Sequence, residues 1–366
     1  ITSSSLADLE ILGIAIGNSE FSNATGATTV AVSDATIDAT TLAATIDSLD
    51  FINGLNTTLM TLSSGATINI DASEISTILG HETGSIVGGS RLTISDQDIV
   101  VTGNISVDDA NLLSATTTGT VTASITTTER ITELKTLTET SNAYTIVISS
   151  ADATATAEDL SAIDGKTTAT IDATAVTSIS GTYDEVTALY ESAGVDNLGD
   201  EAISISDELT VTEANVIDGL TTGAITATIG NSRVSELVGG TPLLNANNNN
   251  AYTIAISSED AAVSASDLNT INALTTGTID ATAVTALTYD TIANINTLLS
   301  AGNDTAQFTA TSFSQLSSVS IFDPAKYLDA NSDLANVFGS TNTSRAFAHY
   351  HQYGINEGRN DGSIDV

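Results

Sequence analysis

The chain repeats itself, and the repeat leaves few folds open to it. Ala143-Tyr144-Thr145-Ile146-Val147-Ile148-Ser149-Ser150 recurs 108 positions later as Ala251-Tyr252-Thr253-Ile254-Ala255-Ile256-Ser257-Ser258. The same offset carries Thr170-Ile171-Asp172-Ala173-Thr174-Ala175-Val176-Thr177 onto Thr278-Ile279-Asp280-Ala281-Thr282-Ala283-Val284-Thr285. A shorter unit lies inside this duplication. Gly65, Gly119, Gly223 and Gly277 each follow a pair of Ser or Thr, and Ala169 takes the remaining equivalent place, at spacings of 54, 50, 54 and 54. Six positions before them stand Leu59, Leu113, Ile163, Ile217 and Ile271; two positions after the last four stand Val121, Ile171, Ile225 and Ile279. Five such units cover about residues 28–310, and periods of this length mark stacked architectures.

Each unit reads as two strand-plus-helix halves of roughly 25 residues. In the last unit, Ser264-Ala265-Ser266-Asp267 reads as a helix start, a hydroxyl cap with an acid three positions on. Leu268, Ile271 and Leu274 then fall on one helical face. Ile279, Ala281 and Ala283 alternate with Thr278, Asp280 and Thr282 as in a half-buried strand, and Val284 breaks the phase at a bulge or corner. A second short helix follows, carrying Ile292, Ile295 and Leu298. Ile203, Ile205, Leu209 and Val211 alternate across a kink near Asp207-Glu208. One half cannot bury its apolar face alone, whereas stacked halves form ladders through a shared core. The expected fold is therefore a repeat solenoid, mainly β with short helices and a parallel sheet; consecutive small domains are the alternative. Ten or more half-units rising about 4.8 Å each make a rod of roughly 50 Å or longer. Three segments result: residues 1–27 as an N-terminal cap or pairing segment, 28–319 as the solenoid, and 320–366 as a small helical C-terminal module. Asn245-Ala246-Asn247-Asn248-Asn249-Asn250 reads as a polar loop inserted between halves.

Composition narrows the function. Hydrophobic residues make up 41% but aromatics only 4%, with no Trp, which suits thin layers of short side chains. Eight Lys+Arg against 45 Asp+Glu give a net charge of -37, which repels phosphate backbones and anionic membranes and argues against nucleic-acid binding. The acids are dispersed among β-branched residues, so the chain reads as folded rather than as an acidic tail. Without cysteine it forms neither disulfides nor thiolate metal sites. No apolar run approaches the roughly 18 residues of a membrane span, so no membrane insertion is expected. The chain opens on Ile1 rather than Met, as a processed chain or a piece of a longer one does.

The charge invites metals. Adjacent acids at Asp108-Asp109, Asp207-Glu208 and Glu259-Asp260 fall at expected turns after strands in related halves. They read either as solvated turn acids or as weak calcium sites bridging neighbouring turns or subunits. His349 and His351 point to different sides of a helix, and His81 is remote from both, which argues against zinc. His349 is expected to pack beside Tyr350. No Cys nucleophile, G-x-S-x-G elbow or phosphate-cradling glycine loop is present. Paired carboxylates can hydrolyse glycosides, but here they recur along the array as a surface feature does. An enzyme is not expected; a polysaccharide-acting enzyme on a β-solenoid is the remote alternative.

From Ser320 the composition changes. Phe322, Tyr327, Phe338, Phe347, Tyr350 and Tyr353 gather there with Lys326, Arg345 and Arg359. Phe322 to Leu334 reads as a helix capped by Asp323 with Pro324 at its first position. With His349-Tyr350, Gly354 and Glu357-Gly358-Arg359, the segment resembles a short helical motif of secreted bacterial proteins, notably cyanobacterial ones, of the form F-D-x-x-x-Y-L-x-x-N-x-D then H-Y-x-x-x-G-x-x-E-G-R. The repeats are similar to those of cyanobacterial β-strand-repeat surface proteins. That resemblance implies an exported component of a surface layer, fibre or adhesin. The glycine-aspartate nonapeptides of calcium-binding toxin repeats are missing, so their calcium mechanism does not carry over. The function expected is a structural extracellular protein of the bacterial cell surface that self-assembles into a layer or filament. The alternative is an adhesin stalk whose aromatic tail recognises a surface ligand such as a cell-surface glycan.

Overall fold

Strands form where β-branched residues alternate with small polar ones, and four of the helices start at a hydroxyl followed three positions later by an acid. The computed structural model describes residues 5, 29–50, 59–83, 92–239, 244–245, 249–291, 293–298, 308–309, 312–313, 316, 318–321, 324–350, 353, 357, 359 and 364–365. In chain order the strands are β1 (Thr29–Val32), β2 (Thr36–Asp38), β3 (Leu59–Leu62), β4 (Thr67–Asp71), β5 (Leu92–Thr93), β6 (Asp98–Ile105), β7 (Val121–Ile125), β8 (Ala143–Val147), β9 (Thr154–Thr156), β10 (Ile171–Asp172), β11 (Ser178–Gly181), β12 (Val195–Asp196), β13 (Ala202–Leu209), β14 (Ile225–Ser232), β15 (Ala251–Ile256), β16 (Ala262–Ser264), β17 (Ile279–Asp280), β18 (Ala286–Asp290), β19 (Ser318–Ile321) and β20 (Ile364–Asp365). The helices are α1 (Ala39–Asp50), α2 (Ile75–Thr83), α3 (Val107–Ser114), α4 (Ile131–Leu134), α5 (Ala157–Asp164), α6 (Tyr183–Glu191), α7 (Val211–Asp218), α8 (Val234–Val238), α9 (Ala265–Ala273), α10 (Pro324–Ala330), α11 (Ser332–Phe338) and α12 (Thr343–His349). The fold is mixed α/β with parallel sheets.

The chain divides into two units: residues 1–177 with 188–198, and residues 178–187 with 199–366. In the first, β1-β3-β5 form one sheet and β12-β10-β8-β7-β6-β4-β2 another. In the second, strands run in the orders β17-β15-β14-β13-β11 and β16-β18-β19-β20. Pairing is parallel, with Ile68 beside Ile99 and Ile203 beside Ile225, except that β20 lies antiparallel on β19. Neighbouring strands follow chain order with a helix or turn between them, as parallel pairing requires.

The repeat fixes the core. Ser106, Thr156, Thr210 and Ser264 cap helices by accepting from the N–H of Asp109, Asp159, Glu213 and Asp267. Each of these helices then buries positions one, four and seven: Val107, Ala110 and Leu113; Ala157, Leu160 and Ile163; Val211, Ala214 and Ile217; Ala265, Leu268 and Ile271. The last residue of each triplet is 0% exposed, and burying each such Leu or Ile contributes about 1.5–3 kcal/mol. β6 and β13 share one burial pattern, with Ile99, Val101 and Ile105 matching Ile203, Ile205 and Leu209. Both strands shift register in their middle, which is the kink expected near Asp207.

Several expectations need revision. Leu59 lies on a strand and is only half-buried, so the first unit does not share the helical position that Leu113, Ile163, Ile217 and Ile271 occupy. The strand expected to run from Ile279 through Ala283 ends at Asp280. Val284 N–H closes a turn onto Ala281 O, so the phase break is a corner. Pro324 opens a helix as expected, but the segment to Leu334 is two helices, not one. Asn331 stands between them, with its carboxamide donating back to Tyr327 O (2.8 Å), a side-chain bond that competes with helix continuation. Residues 1–4 and 6–27, Asn247-Asn248, Ile292, Phe322-Asp323, His351, Gly354 and Gly358 lie outside the described residues.

Candidate functional site

The polar atoms of the repeat are spent on backbone carbonyls 20–23 residues earlier, in or just before a strand. The Thr117 hydroxyl donates to Gln97 O (2.6 Å) and accepts from Gly119 N–H (2.9 Å), while Thr118 N–H donates to Ser95 O (2.8 Å). Thr221 does the same with Glu201 O (2.7 Å) and Gly223 N–H (2.9 Å). Thr275 does so with Tyr252 O (2.7 Å) and Gly277 N–H (2.8 Å), and Thr167 with Tyr144 O (2.9 Å) and Ala169 N–H (3.1 Å). Ser63, in the divergent first unit, keeps only the donation, to Val32 O (2.9 Å). Three of these four Thr pairs are followed by a glycine, and there it has a steric cause. A Cβ at Gly119, Gly223 or Gly277 would lie 2.2–2.4 Å from the carbonyl oxygen of Gln97, Glu201 or Tyr252.

A buried polar cluster accompanies each copy of the duplication. Asn142 accepts from Val121 N–H (2.8 Å) and donates to Ser114 Oγ (2.9 Å), while Tyr144 Oη donates to Ala110 O (3.3 Å). Asn250 accepts from Ile225 N–H (2.9 Å) and donates to Asp218 Oδ1 (2.7 Å) and Tyr252 Oη (3.0 Å). Burial pushes both phenols above the usual tyrosine range, and at Tyr252 the negative charge of Asp218 adds to it. Asn250, read from sequence as part of an inserted loop, is thus a core residue, 1% exposed. The signal was available: an Asn stands immediately before both copies of the motif, at 142 and 250.

Acids close the N-termini of preceding helices or turns. Glu129 accepts from Val107 N–H (3.3 Å), Asp152 from Ile131 N–H (2.9 Å), Asp207 from Tyr183 N–H (2.9 Å), Asp260 from Val234 N–H (2.6 Å) and Asp290 from Ser266 N–H (2.5 Å). Carboxylates in these places satisfy orphan donors and complement the helix dipole. Two of the six candidate calcium ligands, Asp207 and Asp260, belong to this set. Asp109 instead accepts from the Ser106 hydroxyl within its own helix cap (2.8 Å). Asp108 lies exposed in the same first helical turn, Glu208 lies exposed on β13, and Glu259 pairs with Arg233. The pairs therefore occupy three different settings: a helix start, a strand interior and a turn. Among the described residues, no three His, Asp or Glu side chains converge in a way that could hold a metal ion.

The few basic residues of the repeats also reach to later acids. Arg130 pairs with Asp152 (2.6 Å) and Lys135 with Asp159 (2.5 Å). Asp152 stays ionised to lower pH than usual: burial opposes this, but the Arg130 guanidinium and the Ile131 N–H outweigh it. In the tail, Tyr327, Leu328, Leu334, Ala346 and Tyr350 form a core of their own. His349 packs against Tyr327, Phe338 and Tyr353 and shares a hydrogen bond with Tyr327 Oη (3.1 Å). Arg359 donates to both oxygens of Asp333 (2.9 and 2.7 Å), which holds that carboxyl below its ordinary range.

No family model, curated protein or solved structure matches this chain. Among the described residues no helix is long and apolar enough to cross a membrane.

Proposed function

We propose that the parallel ladders are successive turns of a repeat solenoid, and that the chain is a structural, extracellular protein of a bacterial surface that self-associates into a layer or filament. The observation that carries this reading is where the repeated polar atoms go. Thr117, Thr167, Thr221 and Thr275 recur in sequence, and each bonds a carbonyl 20 or 23 residues earlier, within a strand or at the residue just before one. A motif repeated to join turn to turn serves architecture, whereas a catalytic centre would be unique. The resemblance of the repeats and tail to cyanobacterial surface proteins supports the same reading, as does the acidic exterior. Calcium bridging belongs to it as well, through the exposed carboxylates of Asp108, Glu208 and Glu259. Electron microscopy of the purified chain, with and without calcium, tests it: ordered layers or filaments are expected, and dispersed monomers under every condition would overturn it.

The tail favours a second reading as an adhesin. Tyr353 (50% exposed) packs on the half-buried His349, whose ring also meets the half-buried Phe338, an aromatic surface of the kind that contacts glycans. Deleting residues 320–366 separates the two: loss of attachment with assembly intact supports the adhesin. Neither reading includes catalysis, and reducing-sugar release from surface glycans would contradict both.

A further inference from the structure

α1 and α2 lie side by side in the first unit and leave a groove of about 240 Å³ lined by Ala39, Thr40, Ala43, Asp47, Glu74 and Thr77. At one end the Thr40 hydroxyl donates to Glu74 Oε1 (2.6 Å). Beneath the groove-lining Asp47, the His81 ring nitrogen Nε2 stands 3.6 Å from Asp47 Oδ1, and His81 itself does not line the groove. His81 is 1% exposed, and neither of its ring nitrogens has a hydrogen-bond partner. Asp47 is 59% exposed and lines the groove.

A buried imidazole with two unpartnered nitrogens requires an explanation. The Asp47 contact is too long for an N–H···O hydrogen bond, which ends near 3.2 Å. It fits a shared ion instead: two ligands, each about 2.1 Å from a tetrahedral metal, sit about 3.4 Å apart. Burial keeps His81 neutral below the usual histidine range, with a lone pair to offer. We propose that Asp47 and His81 bind one divalent cation of the zinc class, with water in the remaining positions. A nitrogen donor selects zinc, cobalt or nickel over calcium, which prefers six to eight oxygens. Glu74 lies about two helical turns from His81, roughly 10 Å, and is too far to be a third ligand. With two protein ligands the site is open and of modest affinity.

Zinc titration calorimetry of the full chain, with cobalt absorption as a second readout, tests the proposal. One site is expected, weakened at least tenfold by His81→Ala and by Asp47→Asn, and not displaced by excess calcium. Asp47→Asn carries the test if His81→Ala fails to fold, because Asp47 is on the surface. Absence of zinc binding, binding unchanged in Asp47→Asn, or displacement by calcium would each overturn it.

Discussion

The two copies of the duplication solve one buried problem in two ways. In the first unit Asn142 meets the neutral Ser114 hydroxyl, and in the second Asn250 meets the carboxylate of Asp218. What stays constant is the carboxamide accepting a strand N–H, the adjacent Tyr, and a Thr hydroxyl donating to that tyrosine's carbonyl. The variable partner shows that charge is incidental to this joint and that the carboxamide is essential to it.

Replacing that carboxamide should have the largest effect. Asn250→Ala is expected to cost about 3 kcal/mol and Asn142→Ala about 2 kcal/mol in urea unfolding, because each strands a buried strand N–H and the former also strips a donor from Asp218. Equal losses would show that the carboxylate plays no part. Next comes the glycine position, where the copies also differ: Gly277 of the second matches Ala169 of the first. Gly277→Ala should lose about 2 kcal/mol, because its methyl would meet Tyr252 O at 2.4 Å. Ala169→Gly should change stability by less than about 1 kcal/mol. Thr275→Val should cost about 1.5 kcal/mol by the same assay, and the less buried Thr117→Val about 0.5–1 kcal/mol. Asp218→Ser, which rewrites the second copy as the first, should change stability by less than about 1 kcal/mol; a large loss would show that the carboxylate is essential after all. The smallest effect is on acidification. The pKa of His81 is lowered from 6.5 by burial, so the unfolded chain takes up the proton first. Its contribution is complete above pH 6.5 and declines as the pH falls below that value. Urea unfolding from pH 7.5 to 5.5 should show this decline and lose it in His81→Phe.

Much of the architecture was legible in the sequence. The hydroxyl-acid helix starts, the burial of Ile163, Ile217 and Ile271 and the kink near Asp207 each follow from local pattern, because caps and periodicity act over a few residues. What escaped depends on partners 20–30 positions away. Nothing local distinguishes Asp207, which accepts from Tyr183 N–H, from Glu208, which is exposed on the next strand position. The Thr pairs were visible as markers, but their bonds to earlier strands were not. Leu59 matched the spacing by coincidence of register; the unit before Gly119 turns differently, with Gly65 at φ +67 and open space around it.

The claim that the Thr motif ties each turn to the one before is tested most directly by native-state hydrogen exchange at the second Thr of each pair. Thr118, Thr168, Thr222 and Thr276 have exposed side chains, yet their N–H groups donate to Ser95, Asn142, Gly199 and Asn250 carbonyls. Slow exchange at all four, close to that of the flanking strands, is predicted. Exchange at the rate of an unstructured loop would contradict the account.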